Sequence, residues 1–368
     1  MRSSHLFLAL TLTTTQAASL AYAQWDIEES HTTASLRGIH NVGGGVAWAS
    51  GSNGTVLRTE DGGYLWQTCT IPPGADKLDF RGVQAFDENT AIVMSSGPGD
   101  QSRLYKTTDG CQTWKLVFTN PDKDGFWDAI KFQTNSWGWI LGDPVNHQFI
   151  LLATFDGGLH WQSVKQPGLA EPEGGGGAFA ASNSLLVAQL PLLFGTARGW
   201  LYGGGSTCTM GLVQDHPQSC IDLFDFQKAR LPIAHDSDSA GIFSLAAFNW
   251  TQIAVGGDYK LPDLSVGTAA FSPDLGQHWH PAQTLPHGYR SAVAYDATQK
   301  LWITVGPNGT DISTDDGKNW RPLTPSSTDP ADADKNWNAL SLPFVVGPHG
   351  RIGRLRAIDQ KTIVTKKP

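Results

Sequence analysis

The chain has 368 residues, with 34 acidic against 26 basic side chains, 41 glycines, 21 prolines and 14 tryptophans, and only 16% of it is charged. That composition excludes a disordered chain and a coiled coil, and it describes a turn-rich β protein with aromatic cores. Its length passes what one hydrophobic core serves, so the chain either divides into domains or repeats a small unit around an axis.

At the start, Arg2, an apolar stretch over residues 6–12 and the small-x-small triplet Ala21-Tyr22-Ala23 have the pattern of an export signal cleaved after Ala23. The stretch is shorter than the roughly 20 apolar residues of a membrane span. Residues 1–23 are therefore read as a signal peptide, 24–368 as the mature domain, and the expected location is the periplasm or the medium. Losing Arg2 takes the net charge from −8 to −9, which repels nucleic acid and anionic lipid. All four cysteines follow the leader, and an even count in an exported chain favours disulfides. Three pairings are open. Cys208 and Cys220 flank a polar loop, while Cys69 and Cys111 fall in neighbouring repeats.

Short apolar runs ending in glycine then recur seven times, at Gly51, Gly97, Gly142, Gly204, Gly256, Gly306 and Gly347. Their spacing is that of four-stranded propeller blades, roughly 40–50 residues each. Each run follows another strand, as in Leu36-Arg37-Gly38-Ile39 and Trp337-Asn338-Ala339-Leu340; the fourth unit, near Gly177, is degenerate. Tight hairpins follow some glycines, clearest at Asn53-Gly54 and Asn308-Gly309, where positive φ suits Asn and Gly. The connection from third to fourth strand carries Ser/Thr-x-Asp-x-Gly-x-x-Trp at residues 59–66, 154–161, 272–279 and 313–320, with 107–114 a variant bearing Cys111 for glycine. The Asp accepts turn N–H groups, the glycine takes a left-handed backbone and the Trp packs the hairpin.

These motifs resemble Asp-box, or bacterial neuraminidase, repeats across essentially the whole mature chain. Seven such units, with Gly142-Asp143-Pro144 and Val255-Gly256-Gly257-Asp258-Tyr259, are similar to exported bacterial propellers related to the photosystem II assembly and stability factor. The expected fold is all-β: a single seven-bladed β-propeller of four-stranded antiparallel blades. The seventh unit is short of strands, so Trp25 to Glu28 is expected to complete it and close the ring, since an open blade leaves an unpaired edge.

In that topology one face carries the strand-a rim and the long loops 98–103, 143–148, 206–222 and 257–267. Asp61, Asp109, Asp156, Asp274 and Asp315 belong to the opposite face as turn-forming groups. The rim position reads Arg37, Arg81, Asp128, Ser244, Arg290 and Asn338, and its arginines offer bidentate donors for a carboxylate. Arg37, Arg81, Asp128, Arg290 and Asn338 are the candidate ligand-binding residues; Asp143, Asp258 and Tyr259 in the loops form a second tier. His278 and His280 lack a third metal ligand, and Gly174 to Gly177 lack the context of a phosphate loop. No cofactor or metal is expected. The expected function is non-catalytic: a monomer that holds a protein or peptide client, through a carboxylate, without nucleic acid or a membrane span. The alternative is a sialidase-type glycoside hydrolase, whose arginine triad Arg37, Arg81 and Arg290 imitate, although no Arg-Ile-Pro signature occurs and Glu is scarce after Glu173.

Overall fold

A computed structural model describes residues 22–23, 25–189, 191–205 and 224–358. Short apolar strands separated by turns pair with their neighbours in sequence, save at the start of the chain, and the outcome is seven sheets arranged as blades. Blade 1 consists of Leu36–Gly43, Val46–Gly51, Val56–Thr59 and Gln67–Thr68. Blade 2 holds Phe80–Ala85, Ala91–Ser95, Arg103–Thr107 and Lys115–Thr119. Blade 3 holds Trp127–Phe132, Gly138–Val145, Gln148–Thr154 and Gln162–Ser163. Blade 4 is Leu186–Val187, Leu192–Gly195, Trp200–Gly205 and Asp225–Arg230. Blade 5 is Ala240–Phe248, Thr251–Asp258, Ala269–Ser272 and His280–Pro281. Blade 6 is Ala292–Asp296, Leu301–Gly306, Gly309–Ser313 and Arg321–Pro325. Blade 7 takes Ala339–Ser341, Phe344–Val346 and Ile352–Leu355 from the end of the chain and Trp25–Glu28 from its start as the outermost strand.

The first strands, here called a, neighbour one another around the axis, and b, c and d follow outward. Pairing within every blade is antiparallel; Tyr22–Ala23 adds a short fifth strand, parallel to the outer edge of blade 6. Among the described residues helix is limited to the 3-10 turns Gly99–Gln101 and Pro167–Leu169, and none is long and apolar enough to cross a membrane.

Blade 4 corrects one expectation. The run ending at Gly204 belongs to strand c, and the glycine equivalent to the other six is Gly195 at the end of strand b. Crowding dictates the position: a Cβ on Gly195 would stand 2.4 Å from Ile242 of blade 5.

Each of the five Ser/Thr-x-Asp turns joins strands c and d through the same hydrogen bonds. The hydroxyl of Thr59, Thr107, Thr154, Ser272 or Ser313 donates to the Asp two residues on, at 2.8–2.9 Å. It also accepts the N–H of the fifth motif residue. The Asp accepts the N–H of the residue four further on, as Asp61 does from Leu65 at 3.0 Å. Hydrogen bonds from Thr113 hold the Asp109 carboxyl down at about 2. The motif tryptophans pack backwards onto the preceding blade, Trp66 edge-on to Phe344 and Trp114 edge-on to Trp48.

Cys111 occupies the fifth motif position at φ +63°, a left-handed conformation that the other four turns give to glycine. Its sulfur is bonded to Cys69 of blade 1, 42 residues away, so a covalent link between blades offsets the strain. Cys208 and Cys220 lie outside the described residues. The closed loop of 42 residues between Cys69 and Cys111 is worth about 4 kcal/mol by chain entropy. Reduction, or Cys69→Ser with Cys111→Ser, is expected to lower urea stability by about that amount. Replacing Cys111 by Gly in the same background should restore about 1 kcal/mol, because glycine carries positive φ without strain. Equal urea midpoints for oxidised and reduced protein would show that the bridge does not hold the two blades.

Candidate functional site

In blades 1, 2, 3 and 5 strand a carries a bulge that ejects one residue from the ladder towards the axis. In blade 1, Leu36 pairs with Gly51 and Gly38 with Ser50, leaving Arg37 out; blades 2 and 3 leave out Arg81 and Asp128 in the same way. A bulge re-aims a side chain by bending the strand locally. In blade 7, Ala339 pairs with Val346 and Asn338 precedes the ladder, its Nδ2 donating to the Leu36 carbonyl at 2.8 Å.

Blades 5 and 6 depart from the expected register by one residue. Ile242 pairs with Gly256 and Ser244 with Val255, so Phe243 is ejected, and Ser244 is buried with its Oγ accepting the Val293 N–H at 3.0 Å. In blade 6 Ser291 faces the axis, and Arg290 takes the preceding position. Arg290 is completely buried and paired to Asp311, with Nε donating at 2.8 Å. Its Nη1 also donates to Asn308 Oδ1 at 2.6 Å, and His287 Nδ1 lies 2.8 Å from the other Asp311 oxygen. This guanidinium is therefore committed inside blade 6 and does not join the other two.

The rim residues open on a cavity of about 520 Å³, lined by Arg37, Arg81, Asp128 and Asn338 together with Asp143 and Tyr259. Asp258 lies off it, its carboxylate accepting from the Ser237 hydroxyl and the Lys260 N–H, both at 2.9 Å. None of Asp61, Asp109, Asp156, Asp274 and Asp315 lines the cavity.

The cavity has a floor that repeat analysis does not reveal. The segment leading into blade 4 crosses the axis instead of skirting it. Ala180 O accepts from Arg81 of blade 2 at 3.3 Å, Asn183 Oδ1 accepts the Ile130 N–H of blade 3 at 2.8 Å, and Ser184 Oγ meets Ser244 Oγ of blade 5 at 2.7 Å. Ser182 donates to the Ser291 carbonyl at 2.8 Å. A plug of turns and bends is thus hydrogen-bonded to four different blades. Small residues make room for it: a Cβ on Gly82 would come within 3.0 Å of Asn183 Oδ1.

Two cations share one carboxylate at the rim. Arg81 Nε is 2.8 Å from Asp79 Oδ2, and Arg37 Nε is 3.9 Å from the same oxygen. Burial, and then the neighbouring Arg81, lower the Arg37 pKa. The opposite wall is aromatic: Phe179 stacks on Phe243 with centroids 3.8 Å apart, and Tyr289 meets Phe243 edge-on at 4.7 Å. Burial pushes the Tyr289 hydroxyl pKa up.

Deeper lie two acids. Asp128 is 1% exposed, and burial, reinforced by Asp143, raises its pKa well above the ordinary range. Burial also raises Asp143, whose Oδ1 accepts the Ala178 N–H at 2.8 Å. That approach needs Gly177, where a Cβ would sit 2.2 Å from the oxygen.

The arrangement is suited to hold an anion between two fixed guanidiniums, beside an apolar wall. It does not assemble three arginines on one point, and no glutamate lines the cavity beside Tyr259 or Tyr289. Phe179, Phe243, Tyr289 and Asp79 escaped the sequence reading. A usable signal for the register was present, since a small residue followed by a branched or leucyl one recurs in Gly38-Ile39, Gly82-Val83, Ala129-Ile130, Ser244-Leu245, Ala292-Val293 and Ala339-Leu340.

No protein-family model matches the chain, and no curated protein matches it. Solved structures do. The chain superposes on YCF48 bound to D1 peptide with a TM-score of 0.63 at 17% identity, covering 92% of this chain and 99% of that one. It superposes on YCF48 from Cyanidioschyzon merolae with a TM-score of 0.58 at 16% identity, covering 91% and 99%. What is shared is the fold. At such identity the architecture carries over and the function does not.

Proposed function

We propose that this propeller is a non-catalytic binding protein of the assembly and stability factor kind, which holds a protein or peptide client by a carboxylate in the plugged cavity. The observation that carries the proposal is the pair of guanidiniums, Arg37 and Arg81, sharing the single carboxylate of Asp79. One positive charge is left over, and among the described residues no hydrogen bond reaches the Arg37 guanidinium. A carboxylate seated there gains charge-assisted bonds that water supplies less well. Asn338, Asp143 and Tyr259 complete the wall around it, and Asp128 lies beneath.

Two resemblances support the reading. The five Asp-containing turns fit the Asp-box repeat, and the fold is similar to that of YCF48, a photosystem II assembly factor, in a structure with D1 peptide bound. Export through the leader, cleaved after Ala23, is part of the same proposal, and N-terminal sequencing of the secreted chain tests it.

Charge reversal is the direct experiment. Arg37→Glu with Arg81→Glu turns the local balance from +1 to −3 around Asp79 and is expected to abolish capture of client from a periplasmic extract by the tagged protein. Undiminished capture of the same polypeptides would put the client site on another surface.

A further inference from the structure

Asp128 is the least explained group in the cavity. Its side chain is almost wholly enclosed, yet Oδ2 is shut off from solvent and meets no hydrogen-bond donor among the described residues. The charged groups that face it are Asp143 on strand b of the same blade and Arg81 on blade 2, with Arg37 and Asp79 beyond. The plug residues Ala178 to Ala181 bring no charge, and the aromatic wall brings none. An enclosed carboxyl without donors, beside a second carboxyl, is cheapest as the neutral acid. A neutral acid is a hydrogen-bond donor, and Asp128 lines the cavity.

We infer that the cavity binds its carboxylate ligand together with a proton, Asp128 donating an O–H from Oδ1, the oxygen that is not shut off, to the carboxylate that Arg37 and Arg81 hold. The inference rests on the proposed reading of the cavity as a carboxylate site and adds how that site is regulated. No bond is made or broken; a proton stays on Asp128 and is shared with the ligand oxygen. The sign follows from charge. Below the raised pKa of Asp128 the ligand meets a donor. Above it, the ligand meets two carboxylates, Asp128 and Asp143, and is repelled. Affinity therefore falls as pH rises, with a limiting slope of about tenfold per pH unit for one proton.

The test uses the full oxidised chain and a fluorescein-labelled pentapeptide, Gly-Ser-Gly-Ala-Phe, as the free acid and as the C-terminal amide. Polarisation titrations run from about pH 5 to about pH 9, spanning the range above the ordinary carboxyl pKa. The free acid should bind more tightly than the amide, and its affinity should fall towards the tenfold limit. Asp128→Asn, a neutral donor of the same shape, should flatten the profile and carry the acid-side affinity into alkaline solution. Asp143→Asn keeps an acceptor for the Ala178 N–H and should move the midpoint of the profile down, which serves if Asp128→Asn misfolds. Carboxyl-carbon NMR of the free protein should find an aspartate that titrates well above the ordinary range and vanishes in Asp128→Asn. A flat profile in the wild type, an unchanged slope in Asp128→Asn, or no such resonance overturns the proton link and leaves the carboxylate reading standing. Equal binding of acid and amide, or binding of neither, overturns the carboxylate reading and this inference with it.

Discussion

A chain that begins at Thr33 is expected to lose the whole ring, not to fray at one blade. Trp25–Glu28 pairs along its length with Ile352–Leu355, so its removal exposes strand c of blade 7 as an open edge. The larger loss is Trp25 itself. It is 1% exposed, lies 5.9 Å from the ring of Trp337, and reaches into blade 6, where its Nε1 donates to Thr310 Oγ1 at 3.1 Å. Taking out a buried tryptophan costs about 3–5 kcal/mol. Glu28 and Asp26 add ion pairs with Arg354 and Arg356 at 3.1 and 3.3 Å, which are partly exposed and contribute little. Set against a domain stability of about 5–15 kcal/mol, the loss removes much of what keeps the ring folded. Thermal melting followed by circular dichroism should show a fall in Tm of roughly 5 °C or more, in one cooperative step. A chain starting at Thr33 that melted where the full one does would mean that blade 7 closes on three strands. Trp25→Ala in the full chain should reproduce most of the same loss, because the packing and the bridge to blade 6 go together.

The second large effect falls on Arg290, and it is a stability effect that leaves capture intact. Replacing Arg290 by Met strands the Asp311 carboxylate, 1% exposed, inside blade 6. Breaking a buried pair from one side costs about 3–5 kcal/mol. Burial works to raise the Asp311 pKa, but the hydrogen bond from His287 and the Arg290 charge outweigh it and hold the carboxyl below its ordinary range. A depressed carboxyl contributes stability that is present above its unfolded pKa and is lost as pH falls through the folded one. Without Arg290 that contribution disappears and the carboxyl protonates more readily. The defect of Arg290→Met should therefore be greatest near neutral pH and shrink in mild acid. Urea titrations at several pH values measure this directly. The double variant with Asp311→Leu should be more stable than Arg290→Met alone, since no charge is left unpaired. A constant difference across pH, or loss of client capture by a folded Arg290→Met protein, would contradict this placement and return Arg290 to the rim.

That contrast marks where reading along the chain succeeds and where it stops. The repeat, the c–d turns and the missing outer strand of blade 7 are local or countable features. A Thr, an Asp and a Gly at fixed spacing close one turn by their own hydrogen bonds wherever that turn sits. The position of the rim is different in kind. Arg37, Arg81, Asp128 and Asn338 stand directly before the small residue that opens the ladder, whereas in blades 5 and 6 the register is marked only by the pairs Ser244-Leu245 and Ala292-Val293, which put Phe243 and Ser291 at that place. Crowding by the next blade, as where a Cβ on Gly82 would stand 2.8 Å from Ile130 of blade 3, keeps a small residue at that place and so sets which residue before it faces the axis.

By itself the sequence determined the all-β class, the seven units, the strand that locks them and the acidic turns, because strand period, turn chemistry and repeat length act over a few residues at a time. Tertiary structure alone decided that the axis is plugged, that one of the three arginines is spent inside a blade, and that Asp128 is enclosed beside Asp143. The plug shows the physical reason. Ser182 and Asn183 bond to residues 109 and 100 positions away, and small polar side chains carry no local mark of so distant a partner.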